Sequence, residues 1–226
     1  MEYIRNMEHK AVIFDMDGVI VHTNPYHVIA FKQFFDKHQV NYSTEEFENH
    51  MYGKHNGYIM RYFFKNQELT DENVDKLANE KEALFREIYA KYACPIPRFL
   101  EFLTELKAAG FKTGVATSAP KENLTLIMGL LGFESQMESV LSSENVSHHK
   151  PDPEVYLTSL KNLNAQPENS LVFEDSASGI LAGKNAGAKV VGVLSTHSKE
   201  QLPPCDFYIH DYTDITLKKV LEILEK

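Results

Sequence analysis

The chain is poor in cysteine, in positive charge and in long apolar runs, and each shortage excludes something. The two cysteines, Cys94 and Cys205, form no CxxC pair, so a four-cysteine zinc site is excluded and a reduced setting is expected. Lys plus Arg number 23 against 32 Asp plus Glu, a formal charge of -9; a surface of that sign repels phosphate backbones, and nucleic acid is not an expected partner. No stretch approaches the roughly 18 consecutive apolar residues of a membrane span. The first apolar run, Ala11 to Phe14, is cut short by Asp15, so it cannot serve as a signal peptide. A cytoplasmic location with no membrane partner is therefore expected. GxGxxG, HExxH and GxSxG are also missing, which argues against a dinucleotide fold, a zincin and a serine elbow.

What is present is an ordinary globular composition: 226 residues, 43% hydrophobic and 24% charged, enough for one large core with a modest insertion. Short buried-type runs at Ala11–Phe14, Lys112–Ala116, Ser139–Leu141, Leu171–Phe173, Lys189–Val193 and Phe207–Ile209 alternate with helix-period segments. That alternation predicts an α/β fold with a Rossmann-like parallel sheet and helices on both faces. Phe99, Phe102, Leu103 and Leu106 mark the apolar face of one such helix, which Gly110 ends.

Residues 22–94 contain no convincing strand and read as an inserted all-α cap domain, so the core domain is assigned to 1–21 and 95–226. Tyr26, Ile29, Phe34 and Phe35 are expected on one face of its first helix, and Ala83, Leu84, Ile88 and Tyr89 on one face of its last.

Four short motifs fall at predicted strand ends. Asp15-Met16-Asp17-Gly18 follows the first strand, where ligands of such sheets bind. One carboxylate there can act as nucleophile and the other as proton shuttle, while Gly18 allows a tight turn. Glu174-Asp175-Ser176 repeats the placement after the fourth strand. Four carboxylates converging would repel one another unless a cation such as Mg2+ took some of their oxygens. Lys150-Pro151-Asp152-Pro153 places a lysine at a rigid helix entry, with Asp152 as N-cap and Pro153 as first helical residue. Thr117-Ser118 follows the second strand and suits either phosphate oxygens or a plain helix cap. Each motif alone has a bland explanation as a turn, a cap or a solvated lysine; their joint occurrence is the signal. Gly179, Gly183 and Gly187 are expected to line one helix face for close packing on the sheet, and His148 and His149 to be loop residues.

VIFDMDGVI, ATSAP, HHKPDP and VFEDSASG, in this order, resemble the four motifs of the haloacid dehalogenase superfamily, in the branch of β-phosphoglucomutase and small sugar-phosphate phosphatases. The resemblance covers nearly the whole chain. It implies Asp15 as nucleophile, Asp17 as acid/base, and Thr117 and Lys150 as phosphate binders, with Ser118 assisting through its backbone N–H. It also implies Mg2+ held by Asp15, the Asp17 carbonyl, Glu174 and Asp175, and a helical cap that closes over the substrate. Asp17 argues against dehalogenase and phosphonoacetaldehyde hydrolase chemistry, which lack that aspartate. His27 matches a mutase histidine that aligns the cap with the acid/base. In Gly53-Lys54-His55-Asn56, however, Asn56 stands where mutases carry an arginine for the distal phosphate, although Lys54, His55 or Arg61 could substitute. The expectation is a monomeric, Mg2+-dependent phosphatase of a small sugar or polyol phosphate, working through a phospho-aspartate, with His27, Lys54 and Asn56 as cap contacts. A β-phosphoglucomutase-type mutase is the alternative.

Overall fold

The computed structural model describes residues 10–51, 55–65 and 69–225. Lys54 lies outside them. The chain divides into two compact units, one formed by the residues through Asn24 together with those from Ala93 onward, the other by Pro25–Tyr92.

The first unit is built on a six-stranded, all-parallel sheet of β1 (Ala11–Phe14), β2 (Lys112–Ala116), β3 (Ser139–Leu141), β4 (Ser170–Glu174), β5 (Lys189–Val193) and β6 (Phe207–Ile209). Five strands have the bounds read from the sequence, and β4 is one residue longer at each end. The order is β3-β2-β1-β4-β5-β6. The strand order reverses between β1 and β4, so their carboxyl ends open the crevice where ligands of such sheets bind. All four β1 residues are buried, as a strand covered on both faces requires. On one face, Phe14, Phe99, Phe102, Phe173 and Tyr212 interlock, with Phe14 and Phe173 stacked at 5.1 Å. On the other, Ile13, Val172 and Val190 pack with Tyr156, Leu160 and Ile180. The chain leaves and re-enters this unit side by side, since Ile96 N donates to Ile20 O at 2.8 Å.

In the second unit, α1 (Asn24–Lys37), α2 (Thr44–Met51), α3 (Asn56–Phe63) and α4 (Asp71–Tyr89) enclose Phe31, Phe34, Phe35, Phe47, Met60 and Phe64. Two expectations about its faces fail. Ile29 is 41% exposed, because the buried stripe of α1 runs through Ala30, Phe31, Phe34 and Phe35. In α4 the buried positions are Val74, Lys81, Glu82, Phe85 and Tyr89, while Ala83 is exposed. Hydrophobicity alone misplaces that face, since two of its members are charged.

The core helices that follow are α5 (Phe99–Ala108), α6 (Lys121–Leu131), α7 (Glu154–Asn162), α8 (Ala177–Asn185) and α9 (Leu217–Leu224). Ser176 caps α8 by accepting from Gly179 N at 3.1 Å. Pro153, expected as the first residue of α7, is its N-cap instead, because Asp152 Oδ1 accepts from Glu154 N at 2.9 Å, one residue further on. The glycine stripe of α8 also needs correction. Only Gly183 sits against the sheet, where an added Cβ would lie 3.0 Å from Val190; Gly187 is past the helix end at φ +83°, and Gly179 faces Glu174.

Candidate active site

Asp15 leaves β1 with its N–H bonded to Phe173 O of β4 at 3.0 Å, which fixes it at the switch between the two halves of the sheet. The next turn closes through Gly18 N donating to Val21 O at 2.8 Å. Gly18 has φ +76°, and a Cβ there would lie 2.0 Å from Asp175 Oδ2, so both the turn and the neighbouring carboxylate require glycine.

Three of the predicted acids meet here. Asp15, Glu174 and Asp175 are buried, and one oxygen from each lies within 4.8 Å of the others. Lys150 joins them from the start of the α7 segment. Its Nζ donates to Asp15 Oδ1 at 2.6 Å, to Glu174 Oε1 at 2.7 Å and to Ala116 O at 3.1 Å. Ala116 ends β2, so the lysine ties three strand ends together.

Asp17 is half-buried and accepts from the Thr23 hydroxyl. Thr117 directly follows Ala116 and is buried, its Oγ1 accepting from Ala119 N at 3.0 Å. Ser118 beside it is exposed and makes no cap; Pro120 is the N-cap of α6.

The electrostatics follow from crowding. Burial pushes the Asp15 carboxyl well above the usual range; Lys150 opposes this, and Glu174, Asp175 and Asp17 add to it. Burial and the Glu174 charge raise Asp175 to about 7, against a hydrogen bond from Thr196. Burial disfavours the charge on Lys150, yet Asp15 and Glu174 outweigh it and hold its pKa well above normal. The cluster thus gathers more carboxylates than its one lysine can balance. An all-oxygen, acid-rich donor set of this kind suits a hard divalent cation.

Glu174 has the most partners. Oε1 accepts from Lys150 and, at 2.7 Å, from the Tyr156 hydroxyl. Oε2 accepts from Asp175 N, Ser176 N and Ser176 Oγ at 3.0 to 3.2 Å.

The predicted cap residues lie in the second unit. Lys81 Nζ is 3.2 Å from His27 Nδ1, pairs with Glu82 and sits 4.3 Å from the centroid of Phe31. Asn56 Nδ2 donates to Glu82 Oε1 at 2.7 Å, and His27 stacks on Phe85 with centroids 3.8 Å apart. His27 and Asn56 therefore share one polar network with Lys81 and Glu82.

Burial, with the Lys81 ammonium adding to it and Glu82 opposing, lowers the His27 pKa from 6.5 to about 3. In the unfolded chain the imidazole takes up its proton near pH 6.5, so this group makes folding less favourable as pH falls from 6.5 toward 3. His27→Gln removes that titration. Melting temperatures measured from pH 7 to 4 are expected to fall more steeply for the wild type than for the variant; parallel curves would refute this account of His27.

Sequence reasoning missed Tyr156, Lys81, Glu82 and the loop after β5. In that loop Ser195 Oγ donates to Gly18 O, and His197 Nδ1 lies 3.1 Å from Asp175 O. Lys81 had a readable signal, because it falls at helical spacing among Val74, Phe85 and Tyr89. Nothing in the local sequence marks Tyr156 or the loop, whose partners are distant in the chain. Among the described residues no helix is long and apolar enough to cross a membrane.

Residues 12–193 match the sequence profile of haloacid dehalogenase-like hydrolases. A phosphorylated carbohydrates phosphatase of Thermotoga maritima is 31% identical over 188 residues, covering 82% of this chain and 85% of the relative. A β-phosphoglucomutase of Bacillus subtilis is 27% identical over 222 residues, 96% of each chain. In structure, a family IA, variant 3 HAD hydrolase from Entamoeba histolytica superposes with a TM-score of 0.88 at 25% identity, covering 96% of this chain and 100% of the other. Enzymes of this superfamily generally use a divalent metal, in keeping with the oxygen-rich cluster at the ends of β1 and β4. With its profile match running from β1 through β5, the chain belongs to the haloacid dehalogenase-like hydrolase family.

Proposed function

We propose that the protein is a Mg2+-dependent phosphatase of a small phosphorylated metabolite, a sugar or polyol phosphate, acting through a phospho-aspartate. The observation that carries this reading is the buried Lys150 ammonium bonded to both Asp15 and Glu174 at strand carboxyl ends, with Asp175 alongside. Such a constellation binds a phosphoryl group and offers it a carboxylate nucleophile.

In the first step Asp15 attacks phosphorus, Lys150 and Thr117 meet the equatorial oxygens, and Asp17 gives its proton to the leaving alcohol. In the second, Asp17 takes a proton from water, which attacks the phospho-aspartate and frees phosphate. The Thr23 hydroxyl on Asp17 Oδ1 helps orient that side chain. The Ser118 backbone N–H is a further donor for the phosphate.

Asp15, Asp175 and the Asp17 carbonyl would hold the divalent ion, which when bound supplies positive charge to the transferring phosphoryl group. Glu174, the fourth ligand expected from the resemblance, already carries five donors on its two oxygens, more than the roughly four lone-pair sites of a carboxylate. In this reading it serves instead as the acceptor that holds Lys150.

The helical unit favours phosphatase over mutase. Asn56 brings no positive charge, and its amide is tied to the Glu82 carboxylate, an arrangement that does not attract a second phosphate. His27, Asn56 and Lys54 are retained as cap contacts suited to hydroxyl groups.

The test is a panel of phosphate esters with inorganic pyrophosphate added, assayed with Mg2+ or with EDTA. Both phosphate release and conversion of β-glucose 1-phosphate to glucose 6-phosphate are followed. Release without isomerisation, lowered on the order of 100-fold by EDTA, is the expected outcome. Isomerisation with little release would establish the mutase, and release indifferent to EDTA would refute the metal dependence.

A further inference from the structure

Lys150 has three N–H donors, and all three are in use: on Asp15 Oδ1, on Glu174 Oε1 and on Ala116 O. A phosphate oxygen can be bonded only if one of these is released. Releasing Asp15 or Ala116 would leave that acceptor without the lysine at the moment the phosphate arrives. Glu174 Oε1 differs, because a second donor already occupies it.

That donor is the Tyr156 hydroxyl, at 2.7 Å. Tyr156 is fully buried and Glu174 is 1% exposed, so no solvent can replace either partner. Tyr156 also touches the lysine itself, whose Nζ lies 4.9 Å from the centroid of the ring. A phenylalanine would fill the same volume and keep the ring under the ammonium. The hydroxyl is therefore not needed for packing, and its partner is the one carboxylate that holds Lys150 in place.

We propose that Tyr156 is a positioning residue for phosphoryl transfer: its hydroxyl keeps Glu174 Oε1 hydrogen-bonded when Lys150 turns to the substrate phosphate, and so lowers the cost of that turn. Without it, the ammonium is the only remaining donor to Oε1 among the described residues and stays drawn to Glu174. This rests on the reading of Lys150 as the phosphate-binding cation.

The experiment is Tyr156→Phe assayed in the full-length protein with Mg2+, using the best ester of the panel and inorganic phosphate as competitive inhibitor. The inhibition constant for phosphate is expected to rise on the order of tenfold, the low end for one lost hydrogen bond to a charged group, and kcat/KM to fall by a similar factor. The melting temperature should stay within a few degrees of the wild type. A hydroxyl that served only to satisfy the buried carboxylate would lower the melting temperature when lost and leave both constants alone, so constants within about twofold of the wild type overturn the proposal. Asp15→Asn is measured in parallel. If that variant still releases phosphate, the reading of the site has failed; if it is inactive while Tyr156→Phe behaves as the wild type, only the role of Tyr156 has failed.

Discussion

Asp15→Asn is expected to lower phosphate release on the order of 10^4-fold or more, the scale seen when a covalent nucleophile is removed. The substitution is nearly isosteric, and the asparagine oxygen can still accept from Lys150, so the placement of that lysine at the ends of β1, β2 and β4 should persist. The backbone bond from residue 15 to Phe173 O does not depend on the side chain. What disappears is the charged oxygen that forms the bond to phosphorus, together with one charge of the acidic cluster. Thermal melting within a few degrees of the wild type, measured beside kcat on the same preparation, separates loss of chemistry from loss of fold. Activity above about 1% of the wild type, with deamidation back to aspartate excluded by mass, would remove Asp15 from its role.

The sheet was readable because its strands are short, its central strands are almost wholly buried, and turn residues flank them, so period and composition agree. The four motifs were readable for a related reason: a parallel sheet brings the ends of β1, β2 and β4 to one edge, and the loop that follows β3 carries Lys150 to them, however far apart in the chain they are. The limits came where burial and polarity disagree. Lys81 and Glu82 occupy the buried face of α4, paired with each other and linked to His27 and Asn56, so a search for apolar periodicity passes over them. Gly179, Gly183 and Gly187 share a spacing but not a purpose, since Gly183 faces the sheet, Gly179 faces a carboxylate, and Gly187 lies beyond the helix in a turn. Tyr156 reads as a core aromatic, and only its distance to Glu174, 18 positions along the chain, gives its hydroxyl a meaning.

Gly179→Ala tests the packing of the site from the other side and is expected to reverse the usual effect of alanine. In an exposed helix interior alanine stabilises by about 1 kcal/mol relative to glycine. Gly179 is the third residue of α8 and is buried, and a Cβ there would lie 1.7 Å from Glu174 Oε1, 1.9 Å from its Cδ and 2.2 Å from Oε2. The whole carboxyl group must therefore move. A side-chain tip ordinarily yields at little cost, but this one is held by five donors, among them Lys150 and the hydroxyl of Tyr156. Displacing it breaks a buried ion pair, at a cost of about 3–5 kcal/mol, against which the gain in helix propensity is small. The net expectation is a loss of about 2–4 kcal/mol in stability, with kcat/KM lowered on the order of 100-fold as Lys150 loses its anchor. Gly129→Ala in α6 is the control, because nothing lies within 4 Å of its Cβ and it should stabilise the protein without touching activity. Thermal melts and steady-state kinetics on the two variants decide the matter: if Gly179→Ala melts above the wild type and keeps its activity, as Gly129→Ala should, then Glu174 neither fills that space tightly nor holds the lysine.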